Sequence, residues 1–216
     1  MNIPMNCGNC SLSASQYPLL DAVINADVMW VGLSAKLIDG TNHQSPLGDD
    51  TNTGKIIFNI ESVLPYISFY KTNSVKCPPL DNYKKLRYPT ASEMDICYSN
   101  LLYEMEMVKP KLILLLGERV ATFILRKLKI HDREAYVSYN YKSHMINDVI
   151  YVPVHHPSYI RIYKFKELAK YEQGIINIIS RQLNTEPERS ITQHRVMLAN
   201  ISTGRSNLQL VERIQS

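Results

Sequence analysis

The chain has 216 residues, 45% of them apolar and 20% charged, which is enough for one sizeable globular domain and little more. No stretch nears the roughly 18 uninterrupted apolar residues of a membrane span, and MNIPMNCGNC lacks the charged-then-apolar layout of a signal peptide, so a cytoplasmic monomer without membrane contact is expected. The net charge of +4 is compatible with a polyanionic partner but does not require one.

The chain opens on a C-x-x-C pair, Cys7 and Cys10, and carries two further cysteines, Cys77 and Cys97. Four thiolates in a reducing compartment match the coordination of a tetrahedral zinc or an iron-sulfur cluster, although Cys97, inside an apolar helical pattern, can also be read as a buried small hydrophobe. The run from Asp27 to Gly32 predicts a buried parallel strand that delivers a loop at its carboxyl end. Apolar positions at helical spacing predict a helix over 53–64, and the alternating segment 66–77 predicts a second strand ending at Pro78-Pro79. Thr90 or Ser92 is placed to cap a helix running to about Val108, with Ile96, Leu101, Leu102, Met105 and Val108 on its buried side and Pro110 as its stop. Residues 111–128 then read as an apolar strand, a glycine turn and a helix. The last strand, over 149–154, presents His155 and His156 and leads into a helix rich in Lys and Tyr that extends to about Leu183.

Alternating strands and helices predict a three-layer α/β/α sandwich around a central, mainly parallel four-stranded sheet, occupying residues 1–183, with 184–216 as a C-terminal extension of no evident role. Ligands in such folds sit at the carboxyl ends of the strands, where Gly32, Asn73 and His156 fall. The segment Gly48 to Lys55 imitates a phosphate-binding P-loop. Its glycines are five residues apart instead of four, and Ile56 replaces the hydroxyl that would hold magnesium, so nucleotide hydrolysis is set aside.

In order and spacing, the remaining segments resemble the motif series of the iron-sulfur, family-four branch of the uracil-DNA glycosylase superfamily. Cys7 and Cys10 match its opening C-x-x-C, and Gly32 to Asp39 its first active-site loop. Gln44 to Gly48 corresponds loosely to a G-R-P-F-x-G element, and Thr72 to Pro79 closely to T-N-x-V-K-C-x-P-P. Pro89 to Cys97 matches P-T-x-x-E-x-x-x-C, Lys109 to Gly117 the K-P-K strand, and His156-Pro157-Ser158 the terminal H-P-S. The resemblance spans residues 7 to about 183. It implies a monofunctional DNA glycosylase in which Cys7, Cys10, Cys77 and Cys97 hold a [4Fe-4S] cluster. Spacing alone does not separate that cluster from zinc.

Excising a base requires flipping it out, gripping its Watson-Crick edge and stabilising the leaving anion. The resemblance assigns the grip to Asn73, the stabilisation of the anion to His156, and the positioning of water or stabilisation of the sugar cation to Asp39. Each has a plainer reading, respectively an Asx-turn, a structural histidine beside Pro157, and an Asp-Gly turn. Tyr159 and Ile160 stand where the family inserts an apolar wedge into DNA, Ser158 before them is a further expected DNA contact, and Arg161 and Lys164 follow as phosphate contacts or as a solvated helix face.

The base pocket departs from the family pattern. Leu33, Ser34 and Lys36 replace discriminating residues of the first loop, and Leu47 stands where an aromatic ring stacks on uracil. A smaller side chain at 47 and a long donor at 36 fit a bulkier pyrimidine, such as a hydroxymethylated or glucosylated base of phage DNA. An antiviral role then stands beside repair. A binding module that keeps the fold without catalysis is the alternative from another class.

Overall fold

The computed structural model describes residues 7–8, 10–36, 45–130 and 139–184. Five strands form one sheet in the order β2-β1-β3-β5-β4, where β1 is Val28–Ser34, β2 Phe69–Val75, β3 Leu112–Leu116, β4 His144–Ile146 and β5 Val149–Val154. The first four in that order run parallel, and β4 is the antiparallel edge.

The strands read as unbroken apolar runs because both faces of the sheet are covered. Along β1, Val28 and Trp30 face one helical layer, made of α1 (Asn52–Glu61), α4 (Pro157–Tyr163) and α5 (Leu168–Leu183). Met29 and Val31 face the other, made of α2 (Ala91–Val108) and α3 (Glu118–Lys127). The two-residue period of the strand thus feeds two separate cores. All five residues of β3 are buried, as befits the middle strand.

The sheet has five strands where four were expected. The additional β4 pairs Met145 with Ile150 through a hairpin whose two central residues, Asn147 and Asp148, have φ of 47° and 63°. Asn and Asp tolerate that conformation, and such a turn matches the twist of the strands it joins. The strand was hard to read because it is three residues long and only half-buried.

The false P-loop is a packing device. The Thr51 hydroxyl caps α1 by accepting from the Gly54 amide at 2.9 Å, and a Cβ on Gly54 would lie 1.9 Å from the Gly48 carbonyl oxygen. Helix α2 starts on a capping box between Thr90 and Glu93 and buries Met94, Cys97, Leu101, Glu104 and Val108. Leu102, expected inside, is exposed. The final helix is interrupted: α4 ends at Tyr163, a short 3-10 turn covers Phe165–Glu167, and α5 follows. Residues beyond Asn184, which hold nearly all of the proposed extension, lie outside the described residues.

Candidate active site

The order β2-β1-β3-β5 sends the chain to opposite sides of β1, so the carboxyl ends of these strands open into a crevice. A cleft of about 710 Å3 lies there. Asn73 from β2 and His156 from the end of β5 both line it, although 83 residues separate them in sequence. Leu33, Ser34 and Lys36 from the end of β1 line it too, as do Leu47, Ser158 and Tyr159. Asp39 lies outside the described residues.

Asn73 pairs across the sheet with Gly32 and is 3% exposed. Its side-chain oxygen is buried with no hydrogen-bond partner among the described residues. Leaving a buried acceptor unmatched costs on the order of 1–3 kcal/mol, so the amide is held ready for a donor from outside. Gly32 makes room for it: a Cβ there would stand 2.3 Å from the Asn73 Oδ1 and 3.1 Å from the Leu47 side chain.

Below Asn73 lies a buried ionic network. The Lys76 ammonium pairs with Glu104, both wholly buried, and donates to the Thr72 hydroxyl at 2.8 Å and the Asn73 carbonyl at 2.7 Å. Glu104 also accepts from the Thr72 hydroxyl at 2.9 Å and from the Tyr70 hydroxyl at 3.2 Å. Burial pulls the Lys76 pKa down, and Glu104 opposes that shift. The charge pair is thus surrounded by hydrogen bonds from Thr72, Tyr70 and the Asn73 carbonyl, the condition under which such a pair survives in an interior. The network clamps the backbone from which Asn73 projects.

His156 is the N-cap of α4. Its Nδ1 accepts from the Ser158 backbone N–H at 3.2 Å and lies 2.7 Å from the Ser158 hydroxyl. Because a backbone N–H can only donate, Nδ1 carries the lone pair and the ring proton sits on Nε2. Burial, and after it the positive charge of Lys36, lowers the His156 pKa to about 4. At neutral pH the ring is therefore an uncharged donor. Gly117, at φ 91°, allows β3 to turn past it, and a Cβ at that position would approach His156 Cβ to 3.2 Å.

One expected DNA contact is corrected. Ile160 is wholly buried in the core with α1 and α5 and cannot act as a wedge. The exposed apolar side chains of α4 are Tyr159, Ile162 and Tyr163, which all line the cleft. Arg161 is exposed, whereas Lys164 is half-buried and 3.9 Å from Glu167.

The opposite wall contains residues that sequence reasoning missed. The Arg119 guanidinium lies 3.9 Å from the centroid of the Tyr88 ring. Arg87 forms a two-pronged pair with Glu93 at 2.6 and 2.8 Å, and Glu93 also accepts from the Ser11 hydroxyl at 3.0 Å and the Thr90 amide at 2.7 Å. These contacts hold the Glu93 carboxyl down at about 2. The position of Arg119 three residues beyond the central strand was the available signal.

All four cysteines are free thiols, and all line one small cavity with Val75 and Asn100. Burial, then the charges of Cys97, Cys7 and Cys10, raises the Cys77 thiol to about 12. Cys97 Sγ accepts from the Lys76 backbone N–H at 3.4 Å and from the Asn100 amide at 3.7 Å. Among the described residues, however, no group of three or more His, Cys, Asp or Glu is arranged to hold a metal ion. No helix among them is long and apolar enough to cross a membrane.

The family model described as the uracil DNA glycosylase superfamily matches residues 17–180. Solved structures that match include the wild-type SMUG2 of Pedobacter heparinus, with a TM-score of 0.48 and 11% identity over 74% of this chain and 77% of that one. No curated protein matches the sequence.

Proposed function

This chain belongs to the uracil DNA glycosylase superfamily, whose substrate is DNA, and we propose that it hydrolyses the N-glycosidic bond of a flipped-out pyrimidine. The observation that carries the proposal is the convergence of Asn73 and His156 on one cleft. The unmatched Asn73 oxygen accepts from N3–H of the base, and its amide nitrogen donates to O4. As the bond between the sugar C1′ and the base nitrogen breaks, negative charge gathers on O2, where His156 Nε2–H donates. A neutral donor suits this role, because it stabilises the anion without surrendering a proton. Water adds to C1′, positioned by Asp39, a role that rests on the family motif alone.

The substrate we favour is larger than uracil. A cleft of about 710 Å3 is in the range that encloses drug-sized ligands, and Leu47 leaves the stacking position without a ring. Lys36, exposed at its rim, is within the same cleft as a donor for a substituent on the pyrimidine. A hydroxymethylated or glucosylated pyrimidine fits these features, and a defence role would follow from it.

Cys7, Cys10, Cys77 and Cys97 are proposed to hold the [4Fe-4S] cluster, which supplies structural cross-linking. A single zinc requires thiolate sulfurs about 3.8 Å apart, whereas a cluster binds each thiolate on a different iron and so spreads them. What supports the assignment is that all four cysteines line one cavity, and the choice of iron over zinc rests on the family resemblance.

The test is to incubate the protein with oligonucleotides that each carry one uracil, 5-hydroxymethyl or glucosylated pyrimidine, then treat them with hot alkali. Strand breaks at the modified site are the expected result. Retention of an oligonucleotide without breaks would instead identify a binding module, the reading favoured by the altered Leu33, Ser34 and Lys36. Excision of uracil alone would overturn the assignment given to Lys36 and Leu47.

A further inference from the structure

Three successive carbonyls carry the end of β5 into α4, and each is held by a different element. The Gly117 amide, just after β3, donates to the Val154 carbonyl at 2.8 Å. The Tyr171 hydroxyl, from α5, donates to the His155 carbonyl at 3.0 Å. The Tyr159 and Ile160 amides, from α4 itself, donate to the His156 carbonyl at 3.0 and 3.3 Å. The middle carbonyl is thus held by a side chain of another helix, and that side chain is itself fixed. Tyr171 is wholly buried, and burial pushes its phenol well above the ordinary value, so it stays a donor throughout the range in which a histidine titrates. The Tyr139 ring stands edge-on to it, with centroids 6.1 Å apart. One turn further along α5, Gly174 admits the Tyr139 backbone, since a Cβ there would lie 2.6 Å from the Tyr139 carbonyl oxygen.

We propose that Tyr171 is a positioning residue for His156: by holding the peptide between His155 and His156, its hydroxyl sets the direction in which the His156 ring presents Nε2–H to the base. The inference rests on the glycosylase reading for what that donor does, but not for the brace itself. A peptide held at its carbonyl resists rotation, and the ring that follows is confined to the geometry in which Nδ1 meets the Ser158 amide. Once the peptide is loosened, Nδ1 parts from that amide and becomes free to take up a proton. The charged groups that share the cleft with His156 are Lys36 after β1, Arg87 before α2, and Glu118 and Arg119 at the start of α3, while Lys164 and Glu167 act on His155 beside it. Removing the Tyr171 hydroxyl leaves all six in place, so a changed titration of His156 reports the ring's own hydrogen bond.

The test compares Tyr171→Phe, which removes one hydroxyl and keeps the ring, with Tyr141→Phe. Tyr141 is also buried, but its hydroxyl lies 3.0 Å from Nδ1 of the His155 ring instead of holding the peptide. In the full chain, isotope-labelled at the histidine nitrogens and with the His156 signal identified by its loss in His156→Ala, NMR follows the ring across pH. Tyr171→Phe should raise the His156 midpoint from about 4 by about one pH unit or more, whereas Tyr141→Phe should leave it near the native value. Single-turnover breakage of whichever modified oligonucleotide the native chain excises should fall about tenfold in Tyr171→Phe, with its acid limb moved the same way and binding changed less than about twofold. An unmoved midpoint in Tyr171→Phe, or equal shifts in both variants, would overturn the positioning role. A native chain that excises nothing while the midpoint still moves tells against the glycosylase reading and leaves the brace standing.

Discussion

The Ser158 backbone amide donates to Nδ1 of His156 at 3.2 Å and thereby fixes the proton of that ring on Nε2. Protonating the ring means breaking this bond and placing a charge where burial and Lys36 oppose it. Excision should therefore hold steady from neutral pH down to about pH 5 and fall as pH approaches 4. His156→Ala should lower the excision rate on the order of 10²- to 10³-fold, the usual effect of removing a preorganised donor. Single-turnover rates across pH check both statements.

The same ring links stability to pH. Its folded pKa of about 4 lies below the ordinary 6.5, so the unfolded chain binds the proton more readily. The contribution is complete above pH 6.5 and is lost as pH falls towards 4, up to about 3 kcal/mol. Urea unfolding of the native chain and of His156→Ala across that interval should show a gap in pH dependence that closes near neutrality.

Gly32→Ala should impair the base grip. The added methyl would press on Asn73 Oδ1 from 2.3 Å and displace the amide, as well as the Leu47 side chain. Excision is expected to fall tenfold or more, with about 1–3 kcal/mol lost from unfolding stability. Unchanged excision would show that Asn73 does not read the base from this position.

Removing one member of the Lys76–Glu104 pair should cost about 3–5 kcal/mol, because the survivor remains buried and charged. Lys76→Met combined with Glu104→Leu should recover much of that loss. Denaturant unfolding of the two single variants and the double variant measures it.

Cys77→Ser and Cys97→Ser should each abolish the brown colour and broad visible absorbance of an iron-sulfur protein, together with its iron as measured by elemental analysis. A colourless native chain with stoichiometric zinc would overturn the cluster assignment.

The frame of the fold is readable from residue order because both-face burial turns β1, β3 and β5 into apolar runs ended by marked residues. His156 follows such an end, whereas Asn73, inside the mixed strand β2, was marked by its resemblance to the T-N-x-V-K-C-x-P-P segment. Other features depend on tertiary placement. In Tyr159-Ile160-Arg161-Ile162-Tyr163, four of five side chains are apolar, and only the docking of α4 decides that Ile160 turns inward. Glu104 is invisible as a core residue until Lys76 arrives from another element to neutralise it. Arg119 and Tyr88 meet across 31 positions of chain, and no local pattern announces such a pair.

Glu93 has a reach that its single carboxyl does not advertise. It caps α2, grips Arg87 on the cleft wall and receives Ser11, the immediate neighbour of Cys10. Its pKa of about 2 lies below the ordinary 4.5, so this three-way knot is tight above pH 4.5 and slackens as acid approaches pH 2. One proton taken up there unties the cysteine segment and the rim of the cleft together, making one acidic side chain the common fastening of two separate edges of the molecule.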